Sequence, residues 1–156
     1  MLKKLAAIAL GTTALLSAVS SANAAIIATT PYQLRAPGTC DGDTCTVNYP
    51  FVAANRRLDI DFVSCAFVTT KIGAELSVAS IGIDDASSPT TTTQVLLWDI
   101  RTAFGDTIGE ISQPVPLTIT ATHRPQIKFA YLIPAGPGFA STTARCTIAG
   151  DMHFLQ

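Results

Sequence analysis

The periodic stretches of this chain all repeat with period two, and that restricts its fold more than any other feature. In residues 145–154, Cys146, Ile148, Gly150, Met152 and Phe154 alternate with Arg145, Thr147, Ala149, Asp151 and His153. One set is apolar or small and the other mostly polar, as a strand with one buried face requires. Val115, Leu117, Ile119 and Ala121 alternate with Pro116, Thr118, Thr120 and Thr122, and Pro114 and Pro116 mark the start or edge of that strand. Ile127, Phe129, Tyr131 and Ile133 alternate with Lys128, Ala130 and Leu132. The compact link Thr122-His123-Arg124-Pro125 predicts that these two strands form a hairpin.

Leu58, Ile60 and Phe62 alternate with Asp59 and Asp61, and then the apolar parity moves to Val63, Cys65 and Phe67. That shift predicts a bulge or burial on both faces. Further strands are expected over Leu76 to Ile83, over Thr46 to Ala53 with an interruption at Pro50, and over Ile26 to Gln33. Gln94 to Ile100 is apolar on both parities, as a central strand would be. Turns are expected at 84–89, 105–109 and 134–138, and Thr90 to Thr93 reads as a flexible loop. No window carries a capped helical stripe. Seven or eight short strands predict an all-β fold. An antiparallel β-sandwich, jelly-roll-like or immunoglobulin-like, is the first choice, with a closed barrel second.

The first residues have a different logic. Lys3 and Lys4 precede an apolar run from Leu5 to Leu16, and small residues follow, ending Ala22-Asn23-Ala24. That order predicts a cleavable signal peptide, residues 1–24, and one mature domain, residues 25–156. The apolar run is too short for a spanning helix, so no membrane insertion is expected after cleavage. No cysteine stands near the cleavage point, which argues against a lipoprotein. Cleavage takes two of the ten cations and none of the eleven carboxylates, leaving 132 residues with a formal net charge of −3. A weakly acidic chain has no electrostatic footprint for nucleic acid and no basic cluster for an anionic membrane.

All four cysteines, Cys40, Cys45, Cys65 and Cys146, lie beyond the leader. In an exported chain an even count predicts disulfides, and four cysteines allow three pairings. Cys40 and Cys45 flank the turn-like Asp41-Gly42-Asp43-Thr44, while Cys65 and Cys146 sit within strands. The expected pairs are therefore Cys40–Cys45 and Cys65–Cys146, and a zinc site is not expected.

Groups with chemical potential are few. His123 reads as an exposed turn residue and His153 as a residue of the polar face of the last strand. A hydrolase would need a serine and an aspartate beside His153, and the chain has no Gly-x-Ser-x-Gly elbow. Asp41 and Asp43, and separately Asp84 and Asp85, are carboxylates in loops, candidate calcium ligands against the ordinary role of turn formation. Asp59 and Asp61 beside Arg56 and Arg57 read as a charge-paired sheet face rather than a glycosidase pair. Trp98, Tyr32, Tyr49 and Tyr131 could stack on a sugar, but Trp98 in its apolar surroundings reads as core.

At Arg57-Leu58-Asp59-Ile60-Asp61-Phe62-Val63-Ser64-Cys65, and again at Cys146-Thr147-Ile148-Ala149-Gly150, the chain resembles small Sec-exported bacterial β-sandwich proteins of uncharacterised function. The resemblance implies a Gram-negative periplasmic or secreted setting and supplies no catalytic residues. The expectation is a non-enzymatic interaction or structural module, without cofactor, whose partner is a protein or a glycan. The other reading is a carbohydrate- or ligand-binding module with a loop-borne site, assisted by calcium. An exposed edge strand offers a route to homo-oligomers.

Overall fold

A computed structural model describes residues 26–41, 43–70, 75–85, 88–97, 99–103, 106–132 and 141–156. The leader, Gly42, Trp98 and the 134–138 turn lie outside the described residues. The strands are β1 (Ile26–Pro37), β2 (Thr39–Asp41), β3 (Thr44–Asn48), β4 (Arg56–Thr69), β5 (Glu75–Asp85), β6 (Ser88–Val95), β7 (Asp99–Ala103), β8 (Asp106–Ile119), β9 (His123–Leu132) and β10 (Thr142–Leu155). They form two antiparallel sheets of five, ordered β1-β10-β4-β8-β7 and β2-β3-β9-β5-β6. Each sheet keeps two edges, so the fold is sandwich-like and not a closed barrel.

Among the described residues ten strands replace the seven or eight expected, and the differences have physical causes. Thr90 to Thr93 belongs to β6 instead of a loop, because threonine suits a pleated backbone without adding to an apolar alternation. Gln94 to Ile100 is not one central strand. It spans the end of β6, a crossing between sheets and the start of β7, with Leu96 buried and Leu97 exposed. The hairpin expected between 115–121 and 127–133 does not form: β8 and β9 lie in opposite sheets. Thr122 takes φ of 68° at this crossing, where its N–H donates to the Val52 carbonyl at 2.9 Å. Alternation marks which face of a strand is buried, but two facing sheets offer either side as the cover.

The parity shift in β4 is a bulge, as expected. Leu58 and Ile60 are buried, Asp61 and Phe62 are exposed, and burial resumes at Val63, Cys65 and Phe67. The register against both β10 and β8 slips between Ile60 and Phe62. Gly150 of β10 is needed there, because a Cβ would stand 1.9 Å from the Asp59 carbonyl oxygen. Between the sheets, Val47, Leu58, Ile60, Phe67, Ile81, Ile111, Ile119, Ile127, Phe129 and Ile148 make one apolar core.

Both expected disulfides are present, Cys40–Cys45 and Cys65–Cys146. The first joins β2 to β3 at directly opposed positions, and the second joins β4 to β10 likewise. Such bonds persist in oxidising compartments outside the cytosol.

Strand β1 is a long edge, and its hydrogen-bond parity can be fixed. The Gly38 N–H donates to the Ala144 carbonyl at 2.7 Å, and the register runs unbroken back to Ala28. Even-numbered residues therefore bond to β10, and odd-numbered ones direct their backbone groups outward. Pro31 and Pro37 both occupy outward positions, where they remove donors that another strand would need.

Tyr49 and Tyr131 sit in the core, and among the described residues neither hydroxyl has a partner. Burial pushes both phenols far above the ordinary tyrosine range, and nearby Tyr32 adds to the shift at Tyr49. Below pH 10 both folded and unfolded chains keep these protons, so stability does not depend on them. Above pH 10 the unfolded chain releases them and the folded chain does not. Stability should then fall by about 1.4 kcal/mol per pH unit for each buried tyrosine. Tyr49→Phe and Tyr131→Phe should each remove one share of that slope in urea melts between pH 9 and 11. A slope unchanged in both variants would contradict the assignment.

Candidate functional site

The outer face of the β1-β10-β4-β8-β7 sheet gathers the polar side chains that alternation places opposite the core. Its first cluster is centred on Asp59. Arg57 Nη2 donates to Asp59 Oδ2 at 2.9 Å, and Thr118 Oγ1 donates to Asp59 Oδ1 at 2.7 Å. His153 Nε2 lies 2.8 Å from Asp59 Oδ2. Since a carboxylate only accepts, Nε2 carries a proton there, and Nδ1 lies within hydrogen-bond distance of the Thr29 hydroxyl, at 2.9 Å. Burial raises the Asp59 carboxyl, but the Thr118 hydroxyl, the Arg57 guanidinium and His153 together outweigh it and hold it below the ordinary carboxylate range. That stabilisation is present above the unfolded-chain pKa and is lost as pH falls through the lowered folded value.

Register explains the assembly. Thr29, His153 and Arg57 stand in one row across β1, β10 and β4, and Asp59 and Thr118 stand in the next across β4 and β8. The sequence reading of a charge-paired face holds for Arg57 and Asp59. Asp61, expected on the same face, is the bulged residue and lies outside the cluster. Arg56 instead packs over the Phe154 ring, 4.7 Å from its centroid. The residue chain Thr29–His153–Asp59 has the hydroxyl–imidazole–carboxylate order of a hydrolytic triad, with threonine in place of serine. Thr29 and Thr118 were not visible as site residues in the sequence, because hydroxyls are common and the four strands involved are remote in the chain.

Beyond the bulge the same face sinks into two adjoining hollows. One, of about 330 Å³, is lined by Arg35, Ser64, Ala66, Glu110, Ser112, Arg145 and Thr147. The other, of about 420 Å³, shares Arg35, Ala66 and Arg145 and continues over Pro37, Gly38 and Val68. Arg35, Thr147, Ser64 and Ser112 form one cross-strand row. Pro37, Arg145, Ala66 and Glu110 form the next, with Ala66 at the bottom of the dip. Neither Arg35 nor Arg145 forms an ion pair among the described residues, whereas Arg57 and Arg124 both do.

The loop carboxylates do not converge. The Asp41 carbonyl accepts from the Thr44 hydroxyl, and the Asp43 carbonyl accepts from the Tyr131 N–H at 2.7 Å. Asp84, at the opposite end of that sheet, is held by Arg124 at 2.6 Å, and Asp85 pairs with His123 in the ladder. Asp84 and Asp85 thus end a strand, and Asp84 already has a cation. Among the described residues no group of three His, Cys, Asp or Glu side chains gathers as a metal site. His123, expected as an exposed turn residue, opens β9, is half-buried, and donates Nδ1–H to the Ala121 carbonyl at 2.9 Å.

No protein-family description, curated protein or solved structure matches this chain.

Proposed function

We propose that the chain is exported through a leader cleaved after Ala24 and acts in the periplasm or outside the cell. There it serves as a non-enzymatic β-sandwich module of jelly-roll-like or immunoglobulin-like type, holding its partner on the outer face of the β1-β10-β4-β8-β7 sheet. One observation carries the reading: on that face Arg57, His153 and Asp59 are spent on one another, while open hollows beside them keep two unspent arginines. Asp59 satisfies Arg57, His153 and Thr118 at once, which suits a stabilising cross-strand cluster. Thr29 stands on an exposed stretch of the edge strand, where an attacked carbonyl would stay hydrated. The two disulfides agree with an extracytoplasmic setting.

The test compares the mature protein with Thr29→Ala and His153→Ala. Neither fluorophosphonate labelling nor ester hydrolysis should exceed that of the variants, and His153→Ala should cost about 1 kcal/mol of stability. Labelling that disappears in Thr29→Ala would establish a hydrolase and overturn the reading. In a Gram-negative expression host, osmotic shock or the culture medium should yield a product beginning at Ala25.

A further inference from the structure

We infer that the hollows around Ala66 form a binding groove for an acidic oligosaccharide, with Arg35 and Arg145 taking its oxyanions and the Ser64, Ser112 and Thr147 row taking its hydroxyls. The inference rests on the interaction-module reading above and names its ligand class.

The arginines come first. Arg35 pairs in register with Thr147, and Arg145 pairs with Pro37 two positions on. They are diagonal cross-strand neighbours on adjacent strands, about 7–8 Å apart. Two like charges so placed repel each other, and folding alone gives nothing back, because no carboxylate of the described chain pairs with either. An oxyanion lying between them relieves that repulsion and gains charge-assisted hydrogen bonds from planar donor forks.

The hydroxyl row decides what kind of anion. Thr147, Ser64 and Ser112 lie on three successive strands in one line with Arg35, at a strand spacing of about 4.8 Å. Each hydroxyl both donates and accepts, which matches the hydroxyls of a sugar chain laid across the strands. Arg35 and Arg145 stand on β1 and β10, so the ligand's negative groups belong over those two strands. A groove of about 330 Å³ continuing into one of about 420 Å³ suits an oligomer better than a lone ion. An extended peptide adding to the neighbouring edge is disfavoured by Pro31 and Pro37. Two arginines on a net-acidic chain fall short of the cluster an anionic membrane requires.

The test uses the disulfide-bonded mature protein in calorimetric titration with three tetrasaccharides: a polyuronate, a sulfated glycan and a neutral glucan. At least one acidic tetramer should bind, with the neutral one about tenfold weaker or worse, and whichever acid binds identifies the oxyanion. Arg35→Gln and Arg145→Gln should each lower that affinity about tenfold, and Ser64→Ala severalfold. Arg35 and Arg145 are exposed and Ser64 is half-buried on the outer face, so melting temperatures should hold, and Arg56→Gln should leave binding unchanged. The groove is refuted if the neutral tetramer binds as tightly, if the arginine variants bind like the parent, or if no acidic tetramer binds at millimolar concentration. In those cases the non-enzymatic reading still stands on its own test. Shortening of the bound tetramer would do the reverse, keeping the groove and ending that reading.

Discussion

Replacing Cys65 and Cys146 together by alanine is expected to remove about 4–5 kcal/mol of stability, against about 2 kcal/mol for the Cys40, Cys45 pair. The bridges span 81 and 5 residues in sequence. Closing a loop in the unfolded chain costs entropy that grows with the logarithm of its length, so the longer bridge restrains the unfolded chain more. Position acts in the same direction. Cys65 and Cys146 are 3% and 0% exposed at the centre of the first sheet, so both alanines leave a void that neighbours must fill. Cys45 is also buried, but Cys40 is only partly so and lies on the three-residue β2 at a sheet edge. Pairing of β4 with β10 runs from Arg56 to Thr69 and survives without the sulfurs, so the variant should keep the same strands at low temperature. Urea melts of the two double variants under oxidising conditions measure the difference. Equal losses would mean that the unfolded chain is already compact around residues 65 and 146, and that loop entropy is not what the long bridge controls.

What could be read from the sequence follows from what each signal encodes. The bulge at Asp61 was legible because it moves every later apolar residue of β4 to the other parity, a change visible without knowing any partner strand. The Cys40–Cys45 bridge was legible because a separation of 5 with a turn-like stretch between the sulfurs leaves little choice. The placement of β8 against β9 was not, because alternation gives the buried face and says nothing of which sheet covers it. Most connections here pass between the sheets, while β2–β3, β5–β6 and β7–β8 remain in one. The same limit hides the site. Thr29 and His153 are 124 residues apart, and their meeting depends on β1 and β10 lying side by side. Arg35 was missed for a simpler reason: the first strand was read as ending at Gln33, and it continues to Pro37.

Phe67→Ala is the second change expected to be severe, with a loss of about 3–5 kcal/mol. The ring is 1% exposed and reaches across the sandwich, 5.7 Å from the ring centroids of both Phe129 and Tyr131 on β9. It meets the Tyr131 ring edge-on, an arrangement that adds to the area it buries. On its own sheet the ring lies over Gly109 of β8, its cross-strand partner. A Cβ built at Gly109 would stand 1.5 Å from the ring's Cζ, so only glycine leaves the ring its place. The aromatic in turn covers backbone that glycine would expose, the compensation by which sheets tolerate glycine. This mutual dependence gives the prediction its sharpest form. Gly109→Val alone should be strongly destabilising, because the ring must leave its well. In a Phe67→Ala background the same valine meets no ring and partly fills the void, so its cost should shrink or change sign. A double-mutant cycle by denaturant melts should therefore show coupling of about 1 kcal/mol or more, within the usual range for residues in contact. Additive losses would mean that the ring does not occupy the space above Gly109, and with it would go the packing that fixes β4 and β8 beneath the polar face.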